Sequence, residues 1–159
     1  MNLADCSRKN MIYLDGAEKV NEYLEKEGYS ETSYQSTLHP SYSAKISLGG
    51  RNMTSVKDCG LLLERIYRGE CVSEEASAQM LDLLKRQENT SKIPAGIKAE
   101  VPTANKTGET DEDQHDIAIV YGAKTTYILC VMSEGWKSGG DAVQNIQNIS
   151  SMVYNYLNL

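Results

Sequence analysis

Apolar residues first recur at a clear helical period between about Thr54 and Arg68. Val56, Cys59, Leu62, Leu63, Ile66 and Tyr67 share one broad face there, and Gly69 supplies a stop. Ser73 then reads as an N-cap followed by Glu74 and Glu75, whose charges suit the positive end of a helix striped by Ala76, Met80, Leu83 and Leu84. Upstream, Asp15-Gly16-Ala17-Glu18 has capping-box spacing ahead of Val20, Tyr23 and Leu24, and Gly28 is a natural terminator. The mixed apolar segment at about 3–13 reads as one more helix. From Tyr29 to Asn52 the chain is rich in Ser, Thr, Tyr and Gly without a sustained period, which predicts a long ordered loop.

After Ile93-Pro94-Ala95-Gly96 the period changes, and three strands are expected at about 99–107, 115–121 and 125–132. In the second, Ile117, Ile119 and Tyr121 alternate with Asp116, Ala118 and Val120. The third, Thr126 to Met132, is apolar almost throughout and is expected to be covered on both faces. Gly122-Ala123-Lys124 is short enough for a hairpin, and the acidic link from Glu109 to Gln114 makes another. Following Gly139-Gly140, Asp141 is placed to cap a last helix whose Val143, Ile146, Ile149, Val153 and Leu157 return onto the sheet. The fold class is α/β of the α+β type: a three-stranded antiparallel sheet packed with helices in one domain over residues 1–159.

A domain of 159 residues buries roughly 70% of the surface its unfolded chain exposes, enough for a real core. No apolar run approaches the ~20 residues that cross a bilayer, and Met1-Asn2-Leu3-Ala4-Asp5 lacks a signal-peptide core, so no membrane association is expected and the compartment is left open. A net charge of −6 without a basic stripe argues against a nucleic-acid partner. Cys6, Cys59, Cys71 and Cys130 are scattered, and His39 and His115 lie in different segments, so buried free thiols are expected rather than a metal site; no cofactor is expected either.

The candidate chemistry centres on Lys106-Thr107-Gly108. A fixed cation, a hydroxyl donor and a residue that lets a ligand lie against the backbone together make an anion-binding strand edge. His115-Asp116 looks like an acid–base pair, but neighbours on a strand point to opposite faces, which favours structural use. Glu109, Asp111, Glu112 and Asp113 form an acidic turn in solvent, and the ten tyrosines, in a chain without phenylalanine, suit core edges with wet hydroxyls.

The order of these elements resembles the penicillin-recognising serine hydrolases, and most of all their class A β-lactamase-like branch. Asn52-Met53-Thr54-Ser55, the phrase Met80 to Gln87, Ile93-Pro94-Ala95-Gly96, Lys106-Thr107-Gly108 and His115 to Val120 all look like that branch in the same order, from about residue 4 onward. The resemblance implies a β-lactamase/transpeptidase-like fold and attack of a serine on a β-lactam or D-alanyl carbonyl through an acyl-enzyme. It also implies that Lys106, Thr107 and Gly108 hold the substrate carboxylate, with the backbone N–H of Glu109 as one of two oxyanion donors.

Other parts of that machinery are missing from these residues. No Ser-x-x-Lys occurs; Thr54-Ser55-Val56-Lys57 is the nearest approach. Ala4-Asp5-Cys6 aligns with the family's Ser-Asp-Asn, so Asp5 is its one remnant, and no carboxylate between Glu31 and Asp58 matches the deacylating base. The expectation is a portion of the family domain, truncated at its N-terminus and inactive alone. Two alternatives stand beside it: a non-catalytic binding module for β-lactam or peptidoglycan-like carboxylates, and a split gene product needing an N-terminal partner that brings the serine.

Overall fold

A computed structural model of the protein describes residues 16–35 and 50–159, which divide after Asp58 into two compact units. The helix expected at 3–13, Asp5, Asp15 and much of the expected loop lie outside the described residues.

In the first unit, helix α1 (Ala17–Lys26) starts on Gly16, whose φ of 103° favours glycine, and takes no side-chain cap. The glycine, rather than the acceptor expected one residue earlier, therefore occupies the N-cap. Its other end closes as expected: Gly28 adopts φ 81°, with Gly28 N–H donating to Glu25 O and Tyr29 N–H to Leu24 O. The described part of the loop is ordered by side-chain acceptors. Asn21 bonds the backbone of Tyr34 in both directions, at 2.8 and 2.7 Å, and buried Asp58 Oδ2 accepts from Glu31 N and Thr32 Oγ1, each at 2.8 Å.

Helix α2 (Val56–Arg68) buries Leu63 and Ile66, but Val56 and Tyr67, expected on its inward face, are exposed. Ser73 caps α3 (Glu74–Lys85) through its hydroxyl to Ala76 N, as expected. That helix buries Ser77 with Leu84, because Ser77 Oγ serves both the N–H and the carbonyl of Cys71 at 3.0 Å.

The sheet is a meander, β1 (Thr103–Glu109), β2 (Gln114–Tyr121) and β3 (Thr126–Ser133), with β1 and β3 at its edges. β1 begins later than the period suggests, because Pro102 cannot donate to a ladder and Val101 N–H turns back to Ala99 O. The register joins Thr107 to Asp116 and Asp116 to Val131, so one face carries Asn105, Thr107, Glu109, Gln114, Asp116, Ala118, Val120, Tyr127, Leu129 and Val131. Helix α4 (Gly139–Asn158) covers this face and builds the core from Ile146 and Tyr154 with Ala118, Val120, Ile93 and Ile97. β3 is only half-buried along its length, short of the two-sided cover expected for it.

Ser138, not Asp141, caps α4 by accepting from Asp141 N. Its fully buried stripe is Ala142, Ile146, Ser150, Tyr154 and Asn158, a four-residue repeat in which only Ile146 was expected. The two polar members have specific tasks. Ser150 Oγ donates to Ile93 O at 2.7 Å, and Asn158 Oδ1 accepts from Lys124 N and Thr125 N at 2.9 Å, tying the β2–β3 turn to the helix.

Candidate functional site

The hydrogen-bonding parity of β1 decides what its open edge displays. Tyr121 N donates to Pro102 O and Thr110 N to Asp113 O, both at 3.0 Å, bracketing the ladder. Hydrogen-bonded pairs alternate in an antiparallel ladder, so Ala104–Ile119, Lys106–Ile117 and Gly108–His115 are the bonded pairs. Thr107 and Glu109 accordingly turn their N–H and C=O groups away from β2, toward the edge that no strand of the described sheet pairs.

Lys106 reinforces that edge, because its ammonium group donates to the outward carbonyl of Thr107. The side chain is half-buried, and burial pulls its proton affinity below that of an ordinary lysine; Asp116 and Glu109 oppose this, and Lys92 adds to it. A cation and an outward backbone donor at Glu109 thus lie on one strand edge, the arrangement that receives an anion. The side chains of Lys106 and Thr107 leave the strand on opposite faces, so a carboxylate held by both must straddle the edge. Gly108 leaves room beside His115, where a methyl would sit 3.5 Å from Cδ2, an ordinary contact. Asp5, the remnant expected from Ser-Asp-Asn, is outside the described residues.

Behind this edge lies a polar layer that the sequence did not single out. Asp116 is fully buried, accepting from Ile93 N at 2.9 Å and from Asn105 Nδ2 at 3.1 Å, and Asn105 Nδ2 also reaches Asn89 O at 3.2 Å. Desolvation raises the Asp116 pKa; the bonds from Ile93 and Asn105 and the charge of Lys92 pull the other way. Lys92 is 1% exposed and donates to Gly108 O and His115 O, each at 3.1 Å, with the Glu109 carboxylate 3.4 Å away.

The segment carrying Lys92 is fixed from both sides. Gln147 Nε2 holds Ser91 O at 2.8 Å, and Gly96 lies so close to α4 that a Cβ there would meet Gln147 O at 2.3 Å. The available signals were a lysine beside Ile-Pro-Ala-Gly and an asparagine immediately before Lys-Thr-Gly; neither residue type announces burial. His115 and Asp116 do part to opposite faces: Asp116 enters the polar layer, while His115 Nδ1 accepts from Ser133 N at 3.2 Å. Among the described residues no group of three His, Cys, Asp or Glu side chains is placed to hold a metal, and no helix is long and apolar enough to cross a membrane.

The fold is shared with solved structures of known proteins. PBP-A is similar at 25% identity and a TM-score of 0.75, over 90% of this chain and 52% of its own. A β-lactamase from Sphaerobacter thermophilus is 20% identical with a TM-score of 0.76, over 92% and 55%, and the TLA-1 extended-spectrum β-lactamase is 19% identical with a TM-score of 0.77, over 92% and 56%. The chain therefore spans little more than half the length of these structures. No curated protein sequence shows significant similarity to it. The family model described as the beta-lactamase enzyme family matches residues 8–157, nearly the whole sequence, and the chain belongs to that family.

Proposed function

We propose that this chain carries the carboxylate-binding edge of a β-lactamase-related serine hydrolase and binds β-lactam or peptidoglycan-like carboxylates without hydrolysing them on its own. The observation that carries the reading is that the Lys106 ammonium bonds the outward carbonyl of Thr107 on the same edge of β1 toward which the Glu109 N–H is turned. An ammonium and an oriented amide suit a ligand with a carboxylate close to a polarisable carbonyl. The lack of hydrolysis rests on chemistry: without a Ser-x-x-Lys pair these residues offer no activated serine to form an acyl bond.

Titration with penicillin G, followed by amide NMR and by intact-mass analysis, tests both parts. Saturable shifts at Lys106 and Glu109, weakened about tenfold or more in Lys106→Ala, are expected, since hydrogen bonds to charged groups contribute about 1.5–3 kcal/mol. No response at millimolar ligand sinks the binding claim. A stoichiometric acyl adduct sinks the claim of inertness.

A second reading is favoured by β3, an apolar edge strand that stays half-buried and has an unpaired side in the described sheet. Such an edge suits pairing with another strand, as an N-terminal complementing segment bearing the serine would supply. Co-expression with a Ser-x-x-Lys segment from a family member should then restore penicillin acylation. A mixture that stays unacylated and unassociated counts against it.

A further inference from the structure

One of the two peptide carbonyls that Lys92 bonds matters at the edge. Its ammonium donates to Gly108 O, and that carbonyl belongs to the same planar trans peptide as the N–H of Glu109. Carbonyl and N–H of a trans peptide point in opposite directions. Holding Gly108 O on the β2 side therefore holds the Glu109 N–H on the free side, where Lys106 lies.

The hold is built from three contacts. Two of the lysine's three donors go to the cross-strand pair Gly108 and His115, and the Glu109 carboxylate takes the third direction at 3.4 Å. With 1% of Lys92 exposed, water does not compete for the ammonium. A cation on a carbonyl also draws electron density through the amide and strengthens the N–H as a donor. Ile93 N on Asp116, Ser150 Oγ on Ile93 O and Gln147 Nε2 on Ser91 O fix the backbone on both sides of Lys92, so the ammonium has little latitude.

We infer that Lys92 is a positioning residue: from the buried face of the sheet it aims and polarises the Gly108–Glu109 peptide, so that Glu109 N–H receives the developing or formal negative charge of a ligand held by Lys106. The inference rests on the ligand reading above and adds a residue the family resemblance did not supply. Lys92 touches no ligand itself. Its effect passes through a single amide.

Amide NMR of the full chain tests it, with penicillin G as the probe. In the ligand-free protein, Lys92→Met should move the Glu109 amide proton upfield while leaving the Lys106-side amides of β1 near their places, and Lys92→Arg should restore most of the shift. Penicillin G affinity should fall about tenfold in Lys92→Met, the effect of losing one charge-assisted bond. A folded Lys92→Met protein with an unmoved Glu109 amide overturns the inference. Should that variant fail to fold, a scalar coupling across the hydrogen bond from Lys92 Nζ to the Gly108 carbonyl carbon in the wild type decides, and its absence overturns the inference. If Glu109 moves in the variant but the wild type ignores penicillin G, Lys92 still positions the peptide and the ligand reading alone fails.

Discussion

Asn105 Nδ2 donates to Asp116 Oδ1 at 3.1 Å, joining two fully buried polar side chains on the adjacent strands β1 and β2. The same carboxylate takes Ile93 N on its other oxygen. One acid therefore couples β1, β2 and the segment that carries Lys92.

Replacing Asp116 by Asn puts an N–H₂ where one of two donors already points, leaving a buried N–H unpaired at a cost of about 1–3 kcal/mol. Burial raises the Asp116 pKa, so between the unfolded and folded values the native chain binds more protons than the unfolded one. Its contribution is therefore fullest at acid pH and declines as pH climbs through that interval above the ordinary carboxylate range. Urea denaturation of wild type and Asp116→Asn at several pH values should show this slope in the difference. A difference that grows more favourable to the wild type with rising pH would contradict it.

Gly96→Ala should be poorly tolerated. The added methyl would meet Gln147 O at 2.3 Å and Ser150 Cβ at 2.8 Å, both on α4, and overpacking of this kind costs about 1–3 kcal/mol. Because Lys92 belongs to the same docked segment, chemical denaturation should report the loss together with disturbed amides at Gly108 and Glu109. Gly60→Ala, inside α2 with Cys130 Sγ 3.9 Å from the new methyl, is a control expected to stabilise the chain by up to about 1 kcal/mol, because alanine is the better helix former.

Cys130 should resist alkylation. Desolvation, with the neighbouring Cys59 and Asp116 adding to it, pushes its thiol up to about 11. Only the thiolate reacts, and two pH units remove about 99% of it relative to a thiol at 9. Iodoacetamide mapping by peptide mass at pH 8 should find Cys130 modified far more slowly than a model thiol. Modification at the model rate would refute the assignment.

Ligand binding through Lys106 should fade at lower pH than an ordinary lysine allows. Burial lowers its pKa, and the carboxylate-binding cation is lost as pH rises through that depressed value. Affinity for N-acetyl-D-alanyl-D-alanine, measured by NMR from pH 7 to 10.5, should fall across this range in the wild type and persist in Lys106→Arg. Equal pH profiles for the two proteins would place the titrating group elsewhere.

Periodicity located the meander and all four described helices because each has apolar side chains at the spacing of its own backbone. In α4, Val143, Ile149, Val153 and Leu157, expected to return onto the sheet, are half-buried, and it missed Ser150 and Asn158, which are buried beside Ile146. Those two are inside because they bond Ile93 O and the Lys124–Thr125 turn, partners distant in sequence. Lys106, Thr107, Gly108 and Glu109 were legible as a motif carried by resemblance. Lys92 was not, because a lysine can be buried only where several acceptors converge, and here Gly108, Glu109 and His115 come from two strands distant from it in sequence.

The register of β1 on β2 decides whether Lys106 points to its own face or into the core, since a slip of one residue exchanges every side chain between faces. That alignment is held by Asn105, Asp116 and Lys92 inside the sheet, and the connecting Thr110–Asp113 turn is largely exposed, its hydroxyl and carboxylate bonded to each other at 2.8 Å. The turn, closed by Thr110 N–H on Asp113 O, thus shares the measuring of the strands with these buried groups. Because the buried groups hold the register as well, a label on the exposed side chain of Asp111 leaves the alignment to them, which makes this corner a natural handle for immobilising the protein.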